Sequence, residues 1–185
     1  HDDALQFLNH YVNITPEVFS RLKLYHDLLL KWQVKINLIS NDSIQDIWKR
    51  HFLDSLQLLP LIPATGKPVI DFGSGAGFPG MPLAIAGIPD VHLVESDSKK
   101  ISFLKEVARV TSTNISIYHS RIETYKLAQV AVITARAVAE LRELFSYAEP
   151  NVSRETICLF PKGKNYAKEV TDAKESWVFD CNPIK

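Results

Sequence analysis

Residues 69–80, Val-Ile-Asp-Phe-Gly-Ser-Gly-Ala-Gly-Phe-Pro-Gly, constrain the fold more than any other stretch of the chain. A mainly apolar, strand-like run enters a turn with glycine at alternate positions, and a helical pattern follows. Glycine visits positive φ at no steric cost and lets a ligand approach the main chain closely. A helix N-terminus behind such a turn favours polar or negative ligand groups. A nucleotide-type cofactor is therefore the first expectation. The dinucleotide fingerprint G-x-G-x-x-G is met by Gly73 and Gly75 but fails at its third position, which is Phe78.

The rest of the chain sets this turn in an α/β frame. Strand-like runs at 68–72, 91–95, 115–119, 130–134 and 156–160 alternate with helical patterns near 80–86, 98–110, 139–148 and 165–174. Such alternation implies a doubly wound, mainly parallel sheet covered on both faces. Trp177-Val-Phe179 reads as the start of one more strand. Residues 1–65 read instead as a helical extension. Thr15 caps a helix with Pro16 at its first position, and Phe19, Leu22, Tyr25 or His26, Leu29 and Trp32 recur on one face. Ser43 and Asp46 resemble a capping box for a second helix that Pro60 stops. The expected organisation is thus 1–65 as helical extension and 66–185 as cofactor domain.

Composition excludes several classes. Lys+Arg and Asp+Glu both number 21, so no basic or acidic tail dominates. An apolar content of 46% suffices for a sizeable core. Two cysteines without a C-x-x-C pattern give neither a disulfide framework nor a Cys-rich zinc site, so no metal is expected. No apolar run reaches the ~20 residues of a membrane span. The start, HDDALQFLNHYVN, lacks signal-peptide character; beginning with His, it implies that leading residues are absent. A cytoplasmic location with reduced thiols follows.

Two carboxylates sharpen the cofactor. Asp71 precedes the first glycine by two residues, and Glu95 ends the second strand 20 residues after Gly75. An acidic group there accepts ribose hydroxyls. Apolar–Asp–apolar–Gly-x-Gly-x-Gly with that acidic partner resembles the class I methyltransferases that use S-adenosyl-L-methionine. The acceptor is read from what is missing. No N/D-P-P-Y/F tetrad follows the fourth strand, and Cys158 lies in an apolar strand unsuited to a thiolate nucleophile. N7 of guanine carries a free lone pair and needs neither base nor nucleophile, so alignment alone suffices. No catalytic residue is assigned.

Several motifs converge on one family. Asn37-Leu38-Ile39-Ser40, Arg50-His51-Phe52-Leu53-Asp54-Ser55-Leu56, the loop with Phe78-Pro79-Gly80, Ser120-Arg121-Ile122-Glu123, Ala135-Arg136-Ala137 and Lys162-Gly163 resemble the glucose-inhibited division protein B family. These are bacterial 16S rRNA guanine-N7 methyltransferases, also called RsmG. The resemblance spans about residues 20–170, with Ala135 where the family usually has serine. It implies direct in-line methyl transfer from S-adenosylmethionine to N7 of guanine 527 in 16S rRNA, with no covalent intermediate. A methyltransferase acting on a small molecule or protein is the alternative. Cofactor contacts implied by the resemblance fall on Gly73, Phe78, Ile122, Glu123 and Arg136. Asp71, Gly75, Gly77 and Glu95 join them from the loop reading.

The substrate side is expected among His51, Asp54, Arg121, Lys162 and Lys164. His51 reads either as a helix-packing histidine or as a substrate-side group. Asp54 reads either as an ion-pair partner of Arg50 or as a residue of the cofactor mouth. Lys99, Lys100, Lys105 and Arg109 form a basic helical face. The expected partner is 16S rRNA or the small ribosomal subunit, bound by a monomer.

Overall fold

The computed structural model describes residues 2–184, with Asp2 described by its backbone. Five strands form one parallel sheet: β1 (Val69–Phe72), β2 (Val91–Glu95), β3 (Ser116–His119), β4 (Val132–Ala135) and β5 (Ile157–Leu159). Their order is β3-β2-β1-β4-β5, so the winding reverses between β1 and β4. Ligands of open α/β sheets bind beyond the carboxyl ends of the strands at such a reversal. β1 ends there, and the glycine turn follows directly.

Seven α-helices accompany the sheet among the described residues. They are α1 (Asp2–Tyr11), α2 (Pro16–Gln33), α3 (Asp54–Leu56), α4 (Gly80–Ile85), α5 (Ser98–Val110), α6 (Leu141–Ala148) and α7 (Tyr166–Lys174). Helix α2 starts as its sequence implies, with Thr15 Oγ1 accepting the Val18 N–H at 3.2 Å. Its buried face is Phe19, Leu22, Tyr25 and Leu29. Asp97 caps α5, accepting from the N–H groups of Lys99 and Lys100.

The N-terminal helices share one core with the sheet. Leu8, Leu22, Tyr25, Phe52 and Leu56 merge with Phe78, Met81, Leu93 and Phe103 in a single apolar cluster. The other sheet face packs Ile70, Phe72, Val94 and Ile133 against Leu144 and Ala148 of α6. Each Val, Leu, Ile, Phe or Met side chain among them contributes about 1.5–3 kcal/mol when fully buried. Arg21 adds a polar tie from α2. Its guanidinium donates to the carbonyls of Thr111 and Ile85, at 2.8 and 3.3 Å, and to Thr113 Oγ1 at 3.0 Å. It thus satisfies carbonyls that the ends of α4 and α5 leave open.

Two sequence expectations fail. Ser43 is no helix cap: a 3-10 turn covers Asn41–Ser43, a π-helical turn covers Trp48–Leu53, and only then does α3 begin. The Ser43 hydroxyl is already engaged by Ser40 and His51. Trp177–Phe179 is no strand. Its aromatic rings pack on Phe145 of α6, at centroid distances of 6.0 and 4.6 Å, and Val178 faces solvent. The alternation in this segment serves side-chain packing without ladder bonds.

Gly80 marks the tightest contact of helix on sheet. A Cβ there would lie 2.4 Å from Leu93 Cδ2 and 2.9 Å from Asp71 Cβ. Gly80→Ala overpacks this contact and is expected to cost about 1–3 kcal/mol, read as a lower urea midpoint with unchanged m-value.

Candidate active site

The turn after β1 runs through three left-handed glycines, Gly73, Gly75 and Gly77, with φ of 60°, 57° and 101°. Each faces something different. A Cβ on Gly73 would sit 2.8 Å from Val138 Cγ2 and 3.6 Å from Ile122 Cδ1. The loops after β3 and β4 therefore meet the glycine turn here. A Cβ on Gly77 would lie 2.7 Å from the Tyr25 hydroxyl oxygen. That hydroxyl donates to the Ala76 carbonyl and pins the turn to α2. Gly75 faces open space, with only Gly73 O at 3.8 Å.

Two buried carboxylates frame the turn. Glu95 Oε2 accepts the Gly75 N–H at 2.7 Å, and Oε1 accepts the N–H groups of Ser96 and Asp97, each at 2.8 Å. A carboxylate offers about four acceptor sites, so capacity remains for a hydroxyl. Asp71 is fully buried. Its Oδ1 accepts from Thr134 Oγ1 at 2.8 Å, and its Oδ2 accepts from the Gly80 N–H at 3.4 Å. Burial pushes its carboxyl up to about 6, against the opposing pull of those bonds.

Arg136, one residue past β4, occupies the other side. Its guanidinium lies over the Phe78 ring, 5.2 Å from the centroid. Its Nη1 donates to the Arg50 carbonyl at 2.8 Å, and its Nη2 donates to His51 Nδ1 at 2.6 Å. Phe78 is buried and stacks on Tyr25 at 5.2 Å. Phe52 meets both rings edge-on. Burial, with the nearby Arg136 and Arg50 charges, lowers the His51 imidazole to about 4, so it is neutral near pH 7.

A cleft of about 610 Å³ opens beside this group, lined by Asp54, Arg136–Glu140, Pro161–Gly163 and Glu169. Asp54 faces this cleft; Arg50 turns to Asp46, at 3.9 Å. Burial raises the Asp54 carboxyl from its ordinary range. Lys162 is tied down, with Nζ 2.7 Å from both the Ala139 carbonyl and Glu169. Glu169 also accepts the Leu141 N–H at 2.9 Å and so fastens α7 to the start of α6. Arg121, Glu123 and Lys164 are exposed, and Ile122 is half-buried at the start of a 3-10 turn after β3. Cys158 lies on β5 outside the cleft, and burial pushes its thiol up to about 11.

Tyr25, Ser43, Val138 and Glu169 belong to this architecture but are not read as site residues in the sequence. Tyr25 and Ser43 look like ordinary helix residues. Val138 and Glu169 act through contacts between loops that no local pattern encodes. Among the described residues no cluster of side chains fits a metal ion. No helix there is long and apolar enough to cross a membrane.

The strand order, the glycine cradle and the acidic end of β2 define a class I S-adenosylmethionine-dependent methyltransferase. Magnesium protoporphyrin IX methyltransferase from Synechocystis PCC 6803, solved with bound SAM, shares the fold. Its TM-score is 0.54 over 88% of this chain and 87% of that one, at 15% identity. The family is given by closer relatives. The family model for rRNA small subunit methyltransferase G matches residues 19–183, and the chain belongs to that family. It is 49% identical to Ribosomal RNA small subunit methyltransferase G of Paramagnetospirillum magneticum, over 92% of this chain and 83% of the relative. It is 44% identical to the Rhodospirillum centenum protein of the same name, over 89% and 76%.

The buried carboxyl of Asp71 sets a pH dependence. Its folded value, about 6, exceeds the ordinary 3.8. The folded state then binds more protons between those values, so stability falls as pH rises through that window. Asp71→Asn removes this contribution. The stability of the wild type relative to the variant should drop by about 3 kcal/mol between pH 3.5 and pH 7, measured by urea unfolding at both pH values.

Proposed function

We propose that the chain transfers a methyl group from S-adenosylmethionine to N7 of guanine 527 in 16S rRNA, acting as a cytoplasmic monomer on the small ribosomal subunit. The observation carrying this reading is the convergence of Gly73–Gly77, Glu95 and Arg136 at one sheet end, in a chain of this family. When bound, the cofactor supplies an electrophilic methyl on a sulfonium. The residues present fit it: a cradle where side chains would collide, an acidic group with spare acceptor capacity, and an aromatic–guanidinium wall.

In this reading Glu95 accepts from the ribose, while Gly73, Gly75 and Gly77 admit the cofactor against the main chain. Ile122 and Glu123 border the adenine side, and Asp71 holds the turn from beneath. Phe78 and Arg136 close the side nearest the cleft. The guanine enters that cleft beside Asp54. Its N7 lone pair forms the new bond to carbon as the sulfur–carbon bond breaks, and positive charge moves onto the purine. The protein contributes alignment and field rather than proton transfer. Lys162, tied to Glu169, shapes the wall, while Lys164 and Arg121 meet RNA phosphates. Residues 1–65 act as a helical cover and 66–185 as the cofactor domain.

Gly73→Ala places a Cβ against Val138 at a positive φ, and should abolish S-adenosylmethionine binding in calorimetry. Borohydride/aniline cleavage of 16S rRNA, read by primer extension, should give an N7-methyl stop in the wild type and none in a deletion strain. A stop that persists in the deletion strain overturns the reading. Activity on a small molecule with no binding to small-subunit RNA favours the alternative acceptor class.

A further inference from the structure

We propose that Ser43 and His51 form a positioning relay that holds the Arg136 guanidinium in the wall of the cleft, so that His51 acts on methyl transfer only through Arg136. The inference rests on the proposed role of Arg136 at the cofactor, and it adds two residues that no cofactor or substrate contact requires.

The relay has one consistent proton arrangement. A guanidinium has N–H donors and no acceptor. At 2.6 Å from Arg136 Nη2, His51 Nδ1 must therefore carry its lone pair toward arginine. The ring proton then sits on Nε2, which donates to Ser43 Oγ at 2.9 Å. Ser43 accepts there because its own proton goes to the Ser40 carbonyl at 2.7 Å. Ser43 is 3% exposed, so water does not compete for the hydroxyl. The donations run from Arg136 to His51, to Ser43 and on to the Ser40 carbonyl, and the Ser40 hydroxyl donates back to Ser43 Oγ at 3.1 Å, which fills the second lone pair of that oxygen. An imidazolium could not accept from arginine, so the relay works only with neutral histidine.

Arg136 needs such a holder. Among the described residues no carboxylate oxygen lies within 4.0 Å of its nitrogens, although it is half-buried. Its fixed points are the Phe78 face, the Arg50 carbonyl and His51. The Arg50 carbonyl holds Nη1 and the imidazole holds Nη2, so the two terminal nitrogens of the fork are fixed by separate acceptors. The π-helical turn Trp48–Leu53 presents both the Arg50 carbonyl and the His51 ring from successive residues. Ser55 Oγ donates to the His51 carbonyl at 2.6 Å and steadies this turn.

A size-matched pair of substitutions separates positioning from packing. His51→Asn keeps an acceptor near the Nδ1 position, whereas His51→Leu has nearly the same volume and none. Loss of a hydrogen bond to a charged group corresponds to about a ten- to hundredfold effect. His51→Leu is expected to weaken S-adenosylmethionine binding or lower kcat on small subunits by that factor, and His51→Asn to stay within about threefold of wild type. In an Arg136→Met background the further change His51→Leu should have no effect, because the group it positions is gone. Equal losses in Asn and Leu variants, or additive losses in the Arg136→Met background, overturn the relay. A 15N-resolved histidine spectrum of the wild type at pH 7 tests it without reference to activity. The relay requires the Nε2–H tautomer for His51, and Nδ1–H or imidazolium overturns it. The spectrum stands whatever the acceptor proves to be; absence of methylation with the Nε2–H tautomer present overturns the functional reading alone.

Discussion

Asp71 lies wholly buried at the carboxyl end of β1, with one oxygen on Thr134 of β4 and the other on the N–H that opens α4. These two bonds join the strands flanking the winding reversal to the helix behind the glycine turn. A carboxylate so placed is costly to ionise, as its raised pKa reflects. It accepts the N–H that opens α4 and the Thr134 hydroxyl, so the cost of burying it is offset by bonds that hold the turn from beneath. Gly80 completes the arrangement, since its missing side chain lets α4 rest directly on Asp71 and Leu93. The directions of Gly73 and Gly75 follow from this foundation, with Glu95 securing the outer edge.

The N-terminal helices are structurally continuous with the site. Tyr25 binds the turn through Ala76 and stacks on Phe78; Phe52 packs against both rings; the Arg136 guanidinium lies over Phe78. The Arg50–Leu56 motif thus divides its labour by position. Arg50 offers its carbonyl, His51 its ring, Phe52 and Leu56 their bulk, Asp54 its carboxylate to the cleft, and Ser55 a bond back onto the turn. That division explains why a helical segment far in sequence from the glycine loop carries so specific a pattern.

Much of this was legible in the residues. Parallel strands buried on both faces leave continuous apolar runs, and glycines at positive φ leave themselves, so β1, its turn and the acidic end of β2 could be read directly. The Ser43 cap and the Trp177–Phe179 strand could not. In both, a local pattern has two physical uses. A serine three residues before an aspartate can cap a helix or hold a histidine, and alternating aromatics can line a strand or pad a helix. Only tertiary partners, His51 in one case and Phe145 in the other, decide between them. Lys162 shows the same limit, because its partner Glu169 is supplied by the next helix.

The charge around the cleft bears on how a chain with zero net charge engages RNA. Arg136 and Lys162 are its cations, against Asp54, Glu140 and Glu169, so the lining carries a slight negative excess. Phosphate would be repelled from such a surface. On the proposed reading a purine acquiring positive charge at N7 is stabilised by it; with Lys162 and Glu169 paired, Asp54 and Glu140 remain opposite one guanidinium. On the proposed reading, phosphate contacts belong outside the cleft, at exposed cations such as Lys164 and Arg121. On the proposed reading, selectivity then rests on the shape of an RNA site that can present one unstacked guanine to an acidic cleft beside Arg136.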